Sequence, residues 1–175
     1  MKIYFATHAT SKDNEEEISS GWKDVRLSEL GKKQARELRD YFKDIEIDLI
    51  CCSDLIRAVE TVKLAFGKDD IPVFISRKLR ELNYGDYNGK SASVVGPMKK
   101  QRIKEPFPNG ESYEQAMERV HGFYQELKIN HPEKTVLVVG HRATQYGLDT
   151  LIDGKTIEEC LSIPFKWQPY WEYEF

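Results

Sequence analysis

Four short apolar runs, at residues 3–6, 47–51, 73–75 and 135–139, recur along the chain with helical patterns between them. A near-continuous apolar run of this length suits a strand buried on both faces, since a strand with one wet face would alternate with polar residues. Between the runs the apolar period lengthens. Leu38, Tyr41, Phe42 and Ile45 keep helical spacing after Ser28, whose hydroxyl suits a helix start, and Val59, Val62, Ala65 and Phe66 keep it after Ser53. Tyr113, Ala116, Met117, Val120, Phe123, Tyr124 and Leu127 extend it furthest, and His131-Pro132 closes that helix. Strands alternating with helices in this way predict an α/β fold, a three-layer α/β/α sandwich around a mostly parallel sheet.

Two segments stand apart. Residues 81–109 are rich in Gly, Pro, Lys and Asn with weak periodicity, and read as an excursion over the sheet's edge. The end, "FKWQPYWEYEF", is aromatic and punctuated by turns, which suits a final edge strand. No repeat or linker divides the 175 residues, so one domain spanning 1–175 is expected.

Composition removes several classes of function. With 26 basic against 29 acidic side chains and a net charge of -3, a broad basic surface for nucleic acid is not expected. The start lacks a basic segment followed by an apolar core, and no stretch approaches the roughly 18 apolar residues of a membrane span. A cytoplasmic, non-membrane protein is expected. Cys51 and Cys52 sit in an apolar run and Cys160 is distant, a pattern of buried reduced thiols rather than a zinc site.

Ligands of open α/β sheets bind beyond the carboxyl ends of the strands. The first apolar run leads into Thr7-His8 and the fourth into Gly140-His141-Arg142. The second ends at Ser53-Asp54, with Arg57 one turn into the next helix, and the third precedes a loop carrying Arg80 and Glu81. If these strands are neighbours, two imidazoles, a guanidinium and a carboxylate converge on one edge. His121, on a helix flank, and His131, before a proline, read as structural. "GDYNGKS" has three residues where a nucleotide P-loop needs four before its Gly-Lys pair, and no apolar strand precedes it. There is no H-E-x-x-H and no G-x-S-x-G, so neither a metal site nor a serine hydrolase is indicated, and no cofactor is expected.

Taken in order, these residues resemble the histidine phosphatase superfamily, which includes the cofactor-dependent phosphoglycerate mutases. "THATSKDN" carries His8 and, six residues on, Asn14; "LSELGKKQA", "SDLIRAVET" with Arg57, "LRELNYGDYNG" with Glu81, "PNGES" and the strand before His141 follow in the family's order. The resemblance implies phosphoryl transfer through a phosphohistidine on His8, with Arg57, His141 and Asn14 holding the phosphoryl oxygens. It also implies that Glu81 protonates the leaving alkoxide and then activates water. The partner implied is a small phosphorylated substrate. The insertion between Glu81 and His141 is modest, which favours a phosphatase over a mutase, and residues 81–109 are where substrate recognition is expected.

The chain departs from the family pattern beside both histidines. Thr7 stands where the family has arginine and Ala9 where it has glycine, so a neutral hydroxyl replaces paired, charge-assisted donors to phosphate. After His141 comes Arg142 where the family has a small residue. Two placements follow for Arg142: it restores to the pocket the cation lost at Thr7, or it begins a helix and points to solvent. Alternative functions are a pseudophosphatase that binds a phosphorylated ligand without hydrolysing it, and a phosphoglycerate mutase.

Overall fold

The computed structural model describes all 175 residues. The chain opens with β1 (Lys2–Thr7), a one-turn helix α1 (Lys12–Glu15) and a two-residue strand β2 (Ile18–Ser19). Then come α2 (Glu29–Leu38), β3 (Leu49–Ser53), α3 (Ile56–Phe66) and β4 (Val73–Ser76). The middle holds β5 (Lys90–Ser91), α4 (Ala92–Val95) and the long α5 (Tyr113–Asn130). The chain ends with β6 (Thr135–Gly140), α6 (Arg142–Leu151), α7 (Ile157–Ser162) and β7 (Trp171–Glu174).

Five strands form one sheet in the order β4-β3-β6-β1-β7, parallel except for β7, which runs antiparallel to β1 at the edge. Because successive side chains point to opposite faces, each strand feeds two cores. Ile3, Phe5, Cys51, Val136 and Val138 pack with Val120, Phe123 and Leu127 of α5 on one face. Tyr4, Ala6, Ile50, Cys52, Leu137 and Val139 pack with Leu38, Val62 and Phe66 of α2 and α3 on the other. Full burial of each such aliphatic or aromatic side chain contributes about 1.5–3 kcal/mol. The three-layer sandwich around a mostly parallel sheet follows from this two-sided burial. Cys51, Cys52 and Cys160 are buried and unpaired. No helix is long and apolar enough to cross a membrane.

Several local expectations change. β4 is an edge strand, and Val73, Phe74 and Ile75 are about half exposed rather than buried on both faces. Only Leu38 of the first helical set lies in α2, because the chain tightens into a 3-10 turn over Arg39–Phe42. Ser53 does not cap α3; its hydroxyl accepts from Leu55 N, while Asp24 reaches across from another loop to accept from Ile56 N at 2.7 Å. Residues 81–109 also carry a core of their own. Leu82, Tyr84, Val95 and Phe107 form a third core with α5 and α6, and β5 pairs with β2.

Candidate active site

β1 and β6 are paired in register, with Thr7 opposite Gly140, so His8 and His141 leave the sheet side by side. Their ring centroids are 5.0 Å apart and the rings are tilted by 56°. The His8 N–H donates to the carbonyl of Gly140, which fixes the chain at this exit. His8 Nδ1 lies 2.7 Å from the carbonyl oxygen of Ala9. A carbonyl only accepts, so Nδ1 carries the proton and Nε2 keeps its lone pair. Burial, reinforced by the Arg57 cation and opposed by the Ala9 hydrogen bond, lowers the His8 pKa to about 3. His141 is 1% exposed, and neither of its ring nitrogens has a partner in the chain. Burial first, then the Arg57 cation, hold its pKa well below the usual imidazole range.

The loop that follows His8 is clamped by two stretches singled out in the sequence. In "LSELGKKQA", Ser28 caps α2, its N–H donates to the carbonyl of Thr10, and Gln34 Oε1 accepts from Thr10 N at 3.1 Å. Gly31 lies so close that a Cβ there would sit 1.8 Å from the Thr10 carbonyl oxygen, so only glycine lets α2 approach. In "SDLIRAVET", Thr61 Oγ1 accepts from Ala9 N at 3.0 Å. These side chains set where the imidazole points.

Arg57 is 2% exposed, with Nη1 donating to the Lys23 carbonyl at 3.0 Å and Nη2 to that of Gly21 at 2.8 Å. Nε makes no bond within the chain. Asn14 caps its own short helix by accepting from Ser11 N and Ser11 Oγ, leaving Nδ2 free of partners in the chain. Glu81 Oε1 accepts from Leu82 N at 2.8 Å and Ala143 N at 3.2 Å, while Oε2 accepts no bond from the chain. Arg80 turns away, forked onto Asp54 with two contacts of 2.7 Å.

Two cavities meet at His8 and Glu81. The smaller, about 170 Å³, is lined by Asn14, Ser20, Arg57 and Tyr84 in addition to these two. The larger, about 420 Å³, takes in Thr7, Asn14, His141 and Arg142. Thus Thr7, His8, Asn14, Arg57, Glu81, His141 and Arg142 each border one of these spaces, whereas Arg80 does not. Arg142 begins α6, but its side chain is partly buried, with Nη1 donating to Gln145 Oε1 at 2.6 Å and the guanidinium stacked on the Tyr146 and Phe165 rings. It does not point freely to solvent. No group of three or more His, Cys, Asp or Glu side chains is arranged to hold a metal ion.

The structure also brings in residues that the sequence reading passed over. Phe165, Trp167 and Pro169 border the larger cavity, whereas of residues 81–109 only Glu81 and Tyr84 face either one. The apolar side chains of Leu82, Val95 and Phe107 in that segment are taken up by the third core. Trp22 Nε1 donates to the Glu81 carbonyl at 2.7 Å, and its ring lies beside the guanidinia of Arg80 and Arg119 at 4.8 and 5.9 Å. Arg119 also reaches the Glu81 carbonyl while forked onto Glu111. A tryptophan in an unpatterned loop gives no sequence signal for such a contact.

Comparison with known proteins agrees with this geometry. The family model described as "Histidine phosphatase superfamily (branch 1)" matches residues 3–165. The chain is 29% identical over 171 residues to the "Uncharacterized phosphatase PhoE" of Bacillus subtilis, covering 91% of this chain and 86% of that protein. It is 30% identical over 165 residues to a 2,3-bisphosphoglycerate-dependent phosphoglycerate mutase of Tropheryma whipplei, covering 77% of this chain and 75% of the mutase. Among solved structures, the alpha-ribazole phosphatase of Shigella flexneri superposes with a TM-score of 0.80 at 25% identity, covering 91% of this chain and 83% of that one.

Proposed function

The chain belongs to the histidine phosphatase superfamily (branch 1), and on that premise we propose that it hydrolyses a small phosphomonoester by way of a phosphohistidine on His8. The observation that carries this reading is the state of His8: a neutral ring, its Nδ1–H tied to the Ala9 carbonyl, and Nε2 free at the junction of the two cavities. In the first step Nε2 attacks phosphorus and the bond to the leaving oxygen breaks. Glu81, in its acid form, gives that oxygen its proton. In the second step Glu81 takes a proton from water, the water oxygen attacks phosphorus, and the P–N bond breaks to release phosphate and neutral His8.

The phosphoryl oxygens need donors as charge shifts among them. Arg57 Nε, Asn14 Nδ2 and His141 are free of partners within the chain and border these cavities, which supports their assignment to that task. Thr7 and Arg142 border the same cavity, so the guanidinium absent at Thr7 has a candidate replacement within it. Hydrolysis is preferred to mutase chemistry because only a modest insertion lies between Glu81 and His141, too little to enclose a bisphosphate.

A second reading rests on Thr7 alone. Removing one preorganised donor typically costs on the order of 10²–10³ in rate, and a chain left with that loss binds phosphoesters without turning them over. One panel separates the readings: aryl and alkyl phosphates and 3-phosphoglycerate, with wild type, His8→Ala and Glu81→Gln. Phosphate release that depends on both residues supports the phosphatase. Binding without release supports the pseudophosphatase, and formation of 2-phosphoglycerate supports the mutase.

A further inference from the structure

The larger cavity at His8 holds about 420 Å³, far more than a phosphoryl group fills. Beside the polar side chains of Thr10, Gln34 and Thr61, its border carries apolar and aromatic ones. Phe165 and Trp167 come from the loop between α7 and β7, and they are 51% and 56% exposed. Phe165 packs against the Trp171 ring and the Arg142 guanidinium at 4.9 Å, and Trp167 lies edge-on to Tyr41. Ala35 and Leu38 of α2 border the same space. Large apolar side chains left open together at the mouth of a polar pocket mark a ligand surface, whereas scattered ones do not.

We propose that this mouth is the leaving-group site and that the substrate is an aromatic phosphomonoester. This rests on the phosphomonoester reading of His8 given above. With the phosphoryl group at His8, a flat ring lies against Trp167 and Phe165 in stacked or edge-to-face contact. An aliphatic leaving group reaches the same phosphoryl site and leaves these faces wet.

Two non-hydrolysable probes separate ring binding from turnover. Phenylphosphonate and methylphosphonate are titrated into the wild-type protein by calorimetry, and then into Trp167→Ala, Phe165→Ala and Trp167→Phe. Phenylphosphonate is expected to bind roughly tenfold more tightly than methylphosphonate. Either alanine variant brings the ratio towards one, and Trp167→Phe keeps most of it. Equal affinities in the wild type, or a preference that survives both alanine substitutions, overturn the proposal. Ring-dependent binding without release of phosphate from phenyl phosphate keeps the ring site and removes the phosphatase. Equal release from phenyl and glycerol phosphates, with equal phosphonate affinities, does the reverse. No binding of either phosphonate counts against both.

Discussion

His8 and His141 leave adjacent parallel strands at the same level, their ring centroids 5.0 Å apart, and both are held neutral by burial and by the Arg57 cation. Protonating either ring would place a second charge beside that guanidinium, where burial already disfavours the charged form. The pairing therefore suits a nucleophile and an oxygen-binding partner that must stay uncharged until phosphate arrives.

Stability should fall as the solution is acidified. The folded-state pKa of His8 lies near 3, below the ordinary imidazole value of 6.5. Between those values the unfolded chain binds more protons than the folded one, so stability declines as pH drops through that window and is level above it. His141 acts in the same direction. Urea midpoints at pH 7.5, 6 and 5 should show a shallower decline for His8→Gln than for wild type. Parallel declines would mean that His8 is not held neutral by the fold.

Arg57 has a structural duty apart from any phosphate. Arg57→Ala leaves the carbonyls of Gly21 and Lys23 without their charged donor, and should destabilise the fold by roughly 3 kcal/mol. Arg57→Lys should recover only part of that, since an ammonium cannot reproduce the fork. Urea denaturation in the absence of phosphate checks this independently of activity.

If Arg142 supplies the cation missing at Thr7, the two positions are coupled. Arg142→Ala should weaken inorganic phosphate binding roughly tenfold, and Thr7→Arg in the same chain should restore it. Additive effects across the double-mutant cycle would show that the positions act separately.

Trp22 holds the main chain of Glu81 without touching the cavity's reacting atoms. Trp22→Phe keeps the ring between Arg80 and Arg119 but removes the 2.7 Å donor to the Glu81 carbonyl. As a positioning change it should lower kcat by roughly tenfold with KM little altered. A rise in KM at constant kcat would assign Trp22 to substrate binding instead.

Much of this was legible in the sequence because sheet burial and strand exits leave strong patterns. The runs at residues 3–6 and 135–139 became β1 and β6, whose register alone brings His8 beside His141. The run at 73–75 misled, because apolar composition reports which residues favour a strand and not whether a neighbour covers it. Ser53 misled similarly: the donor it was expected to satisfy is taken by Asp24, which is distant in sequence. Phe165 and Trp167 were read as part of a closing strand. Their place beside His8 depends on how the loop from α7 returns to the sheet, and no local period encodes that.

The claim that His8 accepts the phosphoryl group is tested most directly by trapping it. Wild type and Glu81→Gln are mixed with an aryl phosphate, quenched in alkali, and digested for mass spectrometry of the peptide containing His8. The account predicts an acid-labile phosphoryl adduct on His8, accumulating in Glu81→Gln because the water step lacks its base, and absent from His8→Asn. Phosphate release that persists in His8→Asn, or that proceeds with no adduct on His8 in either protein, would contradict it.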